Sequence, residues 1–178
     1  LLIVLIGTIA LVALSSNTPD TNKKSKYFQG YIKYKISYEG RELTATEKAQ
    51  SPSEMIVYYN DGMARQEMAT TMGTMVTISD SETKETVVLI DMMGNKLAIK
   101  STKEDNEKVL EELPEPDINY MNETKEIAGY ECKKAEIKTE DNTITAYLTE
   151  DLNIKDPNWN QYKGLVGVML EYTATNAQ

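Results

Sequence analysis

An alternation of apolar and polar residues with a period of two is the feature of this sequence that most restricts its fold. In its clearest instance, every second position is apolar or aromatic and the positions between are Lys33, Lys35 and Ser37; the apolar set is Ile32, Tyr34, Ile36 and Tyr38. Successive side chains of a strand point to opposite faces of a sheet. The run therefore predicts a strand with one apolar face and one wet face, closed by Gly40.

Similar runs follow along the chain, with turn signals between them at intervals of roughly 10–12 residues. These signals include Asp61-Gly62, 80–84, 92–95 and 139–142. Parallel strands need long crossovers, so short connections predict an antiparallel meander. A helical pattern appears only at 103–113, before Pro114, while 41–53 reads equally as a helical turn or a loop. We predict a mainly β fold, a single curved antiparallel sheet (a half-barrel-like meander) with one or two short helices.

Composition excludes several classes of site. The 178 residues include 19 Lys and Arg, 28 Asp and Glu, no His and one Cys, Cys132. Without His the chain lacks the commonest metal ligand and the side chain best suited to proton transfer near neutral pH. A formal charge of -9 argues against nucleic-acid binding, which needs clustered Lys and Arg. We expect no cofactor, no thiolate zinc site and no nucleic-acid partner.

The chain opens with a largely apolar run of fourteen residues, 1–14, which is too short to span a bilayer comfortably as a helix. They fit the apolar centre of a secretory signal peptide, with small residues before a cleavage point after Ser15. We predict a signal peptide over 1–15, a flexible polar tether over 16–26 and an antiparallel β domain over 27–178. The expected location is exported, periplasmic or extracellular, with no stable membrane span after cleavage. We also expect the natural protein to continue past 178, because the predicted last strand, 165–172, is the most apolar.

Several stretches resemble a known family. Residues 125–135 read Lys-Glu-Ile-Ala-Gly-Tyr-Glu-Cys-Lys-Lys-Ala, 91–96 contain a Met-Met-Gly turn, and 164–171 read Gly-Leu-Val-Gly-Val-Met-Leu-Glu. Together they resemble an uncharacterised secreted Bacteroidetes family close to the GLPGLI-type proteins, which is similar in outline to the LolA/LolB-like half-barrel superfamily. The proline of the family's Gly-Leu-Pro element is replaced by Val166. The resemblance implies a half-barrel fold and a cell-envelope location, and it implies no catalytic residue.

The first candidate site is the apolar face of the first strand of the predicted domain. A half-barrel that exposed this face on its concave side would hold an acyl chain by apolar burial. The candidate ligand-binding residues are Ile32, Tyr34, Ile36, Tyr38 and Tyr130. The alternative is that these side chains pack on a helix or a second sheet, as alternation in an antiparallel sheet requires no ligand.

The second candidate is a set of methionines in neighbouring hairpins. Thioether sulfurs favour Cu(I), and the weak candidate ligands are Met63, Met68, Met72 and Met75. Methionine also fills gaps in irregular cores, which is the competing interpretation. Carboxylate pairs such as Glu111 with Glu112, or Asp80 with Glu82, are adjacent in sequence and read as solvated surface groups rather than as a glycosidase pair.

These observations lead to a functional hypothesis of a non-enzymatic cell-envelope protein. Its ligand would be hydrophobic, or a lipid-modified segment of another protein, so its partner would be a lipid or a lipoprotein. A structural or protein-interaction module of unknown partner is the alternative, and Met-based Cu(I) binding is the third. The ligand and the oligomeric state are left open by the sequence.

Overall fold

The fold is taken from a computed structural model that describes residues 2–10, 27–40, 42–140, 142–157, 159 and 161–176. The predicted cleavage point after Ser15 and the predicted tether, 16–26, lie outside these residues. The described elements are β1 (Leu2–Ala10), β2 (Gly30–Glu39), α1 (Ala45–Gln50), β3 (Glu54–Asn60), β4 (Met63–Thr70), β5 (Gly73–Asp80), β6 (Thr86–Met92), β7 (Asn95–Ser101), α2 (Lys103–Glu112), β8 (Asp117–Ile127), β9 (Tyr130–Lys138), β10 (Asn142–Thr149) and β11 (Val168–Asn176).

The strands form two antiparallel groups that β1 connects. The hydrogen-bonded order is β7-β6-β5-β4-β3-β2-β1-β11-β10-β9-β8, and each neighbouring pair is antiparallel. One group is β2 to β7 and the other is β8 to β11. The outer strands β7 and β8 are open edges, so the sheet does not close into a barrel.

Tight turns set the register of the first group. Asp61 and Gly62 between β3 and β4 have φ of 47° and 90°, and Met93 and Gly94 between β6 and β7 have φ of 52° and 83°. Two successive positive φ values define the type I′ turn, whose twist matches that of the strands it joins. The turn at Asp61-Gly62 pairs Tyr59 directly with Ala64, and this fixes which side chains of β3 and β4 share a face.

Both short helices begin at a capping box. Thr44 caps α1 and bonds with Glu47, and Thr102 caps α2 and bonds with Asp105. The side chain of Asn106 in α2 donates to Thr86 Oγ1 at 2.7 Å and to the Lys84 carbonyl at 2.8 Å. These two bonds attach α2 to β6.

The main core lies where the two groups of strands meet face to face. Ile32 of β2 and Val57 of β3 pack with Cys132 of β9 and Leu170 of β11, and Leu152 from the loop after β10 completes the contact. A second core covers the inner face of β9 and β10, with Leu165 from the following loop over it. The long loop between β10 and β11 therefore closes both cores.

The sequence correctly predicts a mainly β, antiparallel fold with two short helices. The half-barrel description is wrong, because two groups of strands pack on each other. The polar strand β8 is not predicted at all, and the last strand begins at Val168 rather than at 165, since Gly164 and Gly167 adopt positive φ in the loop before it. Residues 2–10 form β1, and the signal peptide over 1–15 stays a prediction. No helix among the described residues has the length and apolar character to cross a bilayer.

Candidate functional site

An open pocket of about 400 Å³ lies between the inner face of β2 to β5 and the chain from Pro157 to β11. Its lining is built by cross-strand pairs. Val57, Gln66 and Thr77 are directly opposite one another on β3, β4 and β5. Tyr59, Ala64 and Ser79 form the next such row. Residues directly opposite in an antiparallel sheet project to the same face, so the hairpin registers place all six in the pocket wall.

The lining combines aromatic, neutral polar and aliphatic side chains. The aromatic residues are Tyr34, Tyr38, Tyr59 and Tyr172; the polar residues are Gln66, Thr77, Ser79 and Gln161; the apolar residues are Ile36, Met55, Val57, Ala64, Met68, Pro157, Val168 and Met169. None of these described lining residues carries a charge. In a chain with 19 basic and 28 acidic residues, an uncharged pocket favours a neutral ligand over an ionic one.

Two of the tyrosines are fixed by backbone carbonyls. Tyr34 Oη donates to the Met169 carbonyl at 2.8 Å, and Tyr38 Oη donates to the Pro52 carbonyl at 3.0 Å. Burial raises the pKa of Tyr34 well above its ordinary value, and the nearby Tyr59 and Tyr172 raise it further. Tyr34 is therefore a neutral, oriented part of the wall and contributes little as a proton donor to a ligand.

The other two tyrosines keep their hydroxyls available. Within the described chain, Tyr59 Oη and Tyr172 Oη have no hydrogen-bond partner, and neither does the Gln161 amide. Burial raises the pKa of Tyr172 to about 12 and raises the pKa of Tyr59 as well, so both rings stay neutral near pH 7. Neither hydroxyl is a fully buried atom without a partner, so both are open to the solvent of the pocket. A ligand with neutral hydroxyl and amide groups would replace that solvent and form hydrogen bonds with them.

The structure places some of the predicted ligand-binding residues in the pocket and others outside it. Tyr34, Ile36 and Tyr38 line the pocket. Ile32 is 0% exposed in the main core and has no surface to offer a ligand. Tyr130 is half-buried against the same core and does not line the pocket. The alternation correctly groups the four residues of β2 on one face, but it does not show that β9 and β11 cover one end of that face.

Sequence reasoning missed most of the pocket wall. Tyr59 and Gln66 were recoverable from the sequence, because the Asp61-Gly62 hairpin fixes the pairing of β3 with β4. Thr77 requires in addition the register of the next hairpin, between β4 and β5. No local pattern marks Gln161, which lies in the loop before β11, or Tyr172, which reaches the pocket only through the packing of β11 across β2.

Three of the four methionine candidates lie close together. Met68, Met72 and Met75 border an apolar depression of about 290 Å³, together with Met92. Met63 lies at the other end of β4 and is 47% exposed. Among the described residues no group of three His, Cys, Asp or Glu side chains is arranged to hold a metal ion. Cys132 is fully buried and burial raises its pKa to about 11, so its thiol is inert near neutral pH.

Comparison with known proteins gives a family. Residues 32–177 match the family described as "N-glycanase peptide, N-terminal domain". The fold resembles two solved structures titled "Structure of PNGF-II in P21 space group" and "Structure of PNGF-II in C2 space group", with TM-scores of 0.48 and 0.47 and 14% identity to each. Each alignment covers 99% of this chain and 27% of the other, so the chain spans about a quarter of their length. No curated protein matches the sequence.

The family match corrects the identification made from short motifs. The resemblance to GLPGLI-type and LolA/LolB-like proteins is wrong. Its strongest motif, 125–135, covers the end of β8, the positive-φ turn at Ala128-Gly129 and the alternating strand β9. A tight turn followed by an alternating strand recurs in antiparallel hairpins of unrelated folds, so this pattern does not identify a family. The hypotheses of a lipid-binding envelope protein and of a non-enzymatic protein are overturned too, since the matched family is named for an enzyme.

Proposed function

The chain belongs to the N-glycanase peptide N-terminal domain family, and on that basis we propose that it serves an N-glycanase by holding the neutral glycan part of the substrate in the tyrosine-lined pocket. The match over 32–177 is the observation that carries this proposal, because it includes every strand that builds the pocket wall. It supports a place for the chain in an enzyme that acts on N-linked glycans. The pocket then gives the domain a role in that enzyme.

The chemistry of the pocket supports a carbohydrate ligand. Sugars present neutral hydroxyl and acetamido groups on their edges and C–H groups on their faces. Tyr59 and Tyr172 contribute aromatic rings to the lining for contact with the C–H groups, and hydroxyls without a partner in the described chain for the edges. The Gln161 amide both donates and accepts hydrogen bonds, which matches groups that do the same. The uncharged lining costs a neutral glycan no ionic desolvation.

The same lining favours binding over bond cleavage as the role of the pocket. Glycoside hydrolysis ordinarily uses two carboxylates across the scissile bond. The described lining holds no Asp, Glu or Lys. In this proposal the pocket positions the glycan, and the groups that break the bond lie outside it. Export is part of the proposal, since a leader over 1–15 would bring the domain to the extracellular or periplasmic space, where glycoproteins are met.

Titration with a defined sugar tests the proposal. The full chain is titrated with N,N′-diacetylchitobiose, the disaccharide at the base of N-linked glycans, and binding is measured by calorimetry. We expect saturable binding that weakens roughly five- to tenfold in Tyr59→Phe and in Gln161→Ala, the equivalent of about one lost hydrogen bond.

The chain provides a matched control for this titration. Tyr58→Phe removes the same hydroxyl from the neighbouring residue of β3, which is 38% exposed on the opposite face of the sheet. This variant should bind as the unmodified chain does. Absence of saturable binding by the unmodified chain, or equal losses in Tyr58→Phe and Tyr59→Phe, would refute a glycan site in the pocket.

A further inference from the structure

The strand position between β2 and β11 is filled by the N-terminal segment, β1. Residues Leu2 to Ala10 pair with β2, residues Leu2 to Ile6 pair with β11, and both pairings are antiparallel. Strands β2 and β11 consequently run parallel to each other. Their direct pairing would place a parallel pair in a sheet that is antiparallel everywhere else in the described chain. A purely antiparallel sheet is continuous here only when one strand lies between them.

The neighbours of this position call for a strand of alternating character. The register positions of Leu5 and Ile9 are directly opposite Ile36 and Ile32 on the buried face of β2. The position of Ile6 is opposite Lys35 on one side and Glu171 on the other. The position of Val4 likewise lies between Ser37 and Thr173.

The sequence of β1 satisfies only half of this requirement. It has apolar residues at the register positions opposite Ile32 and Ile36. It also has apolar residues, Leu2, Val4 and Ile6, at positions that align with polar and charged neighbours. A native half-exposed strand is normally polar on that side. Continuous apolar sequence is what export requires of a leader, and 1–15 are predicted to be one.

One register position of the site is held by glycine. The hydroxyl of Tyr34 on β2 donates to the Met169 carbonyl on β11 at 2.8 Å, and β1 lies between these two strands in the sheet. The residue of β1 opposite Tyr34 is Gly7. Glycine within a strand often marks such a close approach, and an aromatic ring across it compensates for the missing side chain.

We propose that the position between β2 and β11 is an acceptor site for an amphipathic strand with glycine opposite Tyr34. This strand is supplied by the polypeptide that an N-glycanase carries beyond this domain. Strand β1 fills the site only while the leader is attached. The family description as an N-terminal domain gives the source of this strand. Only that source rests on the function proposed above. Recognition follows β-strand addition, in which backbone hydrogen bonds give affinity and alternate side chains give specificity.

A peptide competition on the full chain tests the acceptor site. The probe is a labelled nine-residue peptide that corresponds to residues 2–10. It keeps Ile3, Leu5, Gly7 and Ile9 and has threonine at the other five positions. We expect it to bind, measured by fluorescence anisotropy, and to increase hydrogen exchange of residues 2–10 while the amides of β2 stay protected. The matched control peptide carries valine in place of the glycine, and it should bind at least about tenfold more weakly, because a β-branched side chain opposite Tyr34 would crowd the ring that bonds to the Met169 carbonyl.

A disulfide lock shows whether the peptide enters this site and no other. Val4→Cys with Ser37→Cys joins two directly opposite residues, whose Cα separation of about 4.5–5.5 Å suits a disulfide. The remaining thiol, Cys132, is buried. The oxidised chain should lose peptide binding and the reduced chain should keep it.

Three results would overturn the acceptor site: failure of the lock to form, equal binding by oxidised and reduced chains, or no binding by the reduced chain. None of them involves chitobiose, so the acceptor site and the glycan pocket fail independently.

Discussion

Ile32 and Ile99 lie at the two ends of one row of directly opposite residues, which runs from β2 through β3, β4, β5 and β6 to β7. Both follow the same alternation and face the same side of the sheet. Ile32 is 0% exposed, whereas Ile99 is 45% exposed. The difference arises from what lies opposite. Strands β9 and β11 and the loop with Leu152 cover the inner end of the row, while the outer end meets solvent beside α2.

This comparison teaches that alternation determines which side chains share a face and not whether the face is covered. The inner half, β2 and β3, contributes to the main core. The outer half, β6 and β7, presents Leu97 at 55% and Met92 at 44% exposure on the same face. The pocket lies between the two halves, where the cover from β11 ends. A sheet covered over its whole length would have no such opening.

The largest expected contrast is between the two ends of the row. Ile32→Ala should lower the free energy of unfolding by about 2–5 kcal/mol, because it removes a fully buried side chain and leaves a cavity. Ile99→Ala removes the same atoms from a half-exposed site and should cost about 0.5 kcal/mol. Urea unfolding of both variants measures the difference. Equal costs would contradict the division of the sheet into a covered and an open half.

The next contrast asks whether the open half is loosely built. A Cβ added at Gly73 on β5 would lie 2.0 Å from the Asp91 carbonyl on β6, whereas one added at Gly94 would meet no atom within 4 Å. Gly73→Ala should therefore separate β5 from β6 and cost about 1–3 kcal/mol as overpacking, in addition to the backbone strain of its own positive φ of 154°. Gly94 has a positive φ, and its replacement by alanine should cost about 1 kcal/mol from backbone strain alone.

Thermal unfolding of the two glycine variants decides the point. A larger loss for Gly73→Ala means that β5 and β6 are held as tightly as strands in the core, and that the outer half is open only on its face. A loss for Gly73→Ala no greater than that for Gly94→Ala would mean that the outer strands separate easily.

The sequence predicts the features that depend on neighbouring residues and misses those that depend on residues distant in the chain. The alternation of β2, the turn at Asp61-Gly62 and the helix before Pro114 depend on residues adjacent in sequence, and all three are confirmed. Strand β8 was missed because its residues are mostly polar and it lies at an edge, where pairing with β9 alone supports it. A polar edge strand has no buried face to impose alternation.

The pocket shows more clearly what the sequence alone does not predict. Tyr34, Ile36 and Tyr38 were selected because they share a face, and they do line the pocket. Ile32 shares that face and is excluded by β9 and β11, which are at least 90 residues away in sequence. Tyr172 enters the pocket for the same distant reason. Pairing between remote strands is set by the whole fold, so no window of sequence contains it.

The tyrosines beside the covered half should make the stability of the fold depend on pH. Burial raises the pKa of Tyr34, of Tyr59 and of Tyr172, the last to about 12, and all three line the pocket. The folded chain thus binds these phenolic protons more tightly than the unfolded chain, in which tyrosine has a pKa of about 10. Their contribution is complete below pH 10 and is lost as pH rises from 10 towards the folded values.

Alkaline unfolding of a single variant measures this effect. The free energy of unfolding should fall between pH 9 and pH 12, and in Tyr172→Phe this fall should be smaller by on the order of 2 kcal/mol. Tyr58→Phe, at an exposed position of β3, should leave that loss unchanged. Identical pH profiles for Tyr172→Phe and the unmodified chain would mean that the ring of Tyr172 is solvated, and that the covered half ends before β11 reaches the pocket.

The smallest expected effect concerns α2, the helix attached to the open half. Thr102→Ala removes the side-chain oxygen that accepts from the Asp105 N–H at 3.3 Å and the hydroxyl that donates to the Asp105 carboxylate at 2.8 Å. Loss of such a cap costs about 1 kcal/mol. Because Asn106 attaches α2 to β6, hydrogen exchange should quicken in α2 and at its attachment on β6 and stay unchanged in β9. Thr102→Ser keeps the cap and should exchange as the unmodified chain does. Quicker exchange in β9 as well would show that the two halves unfold together, and the boundary drawn from Ile32 and Ile99 would then describe exposure without describing stability.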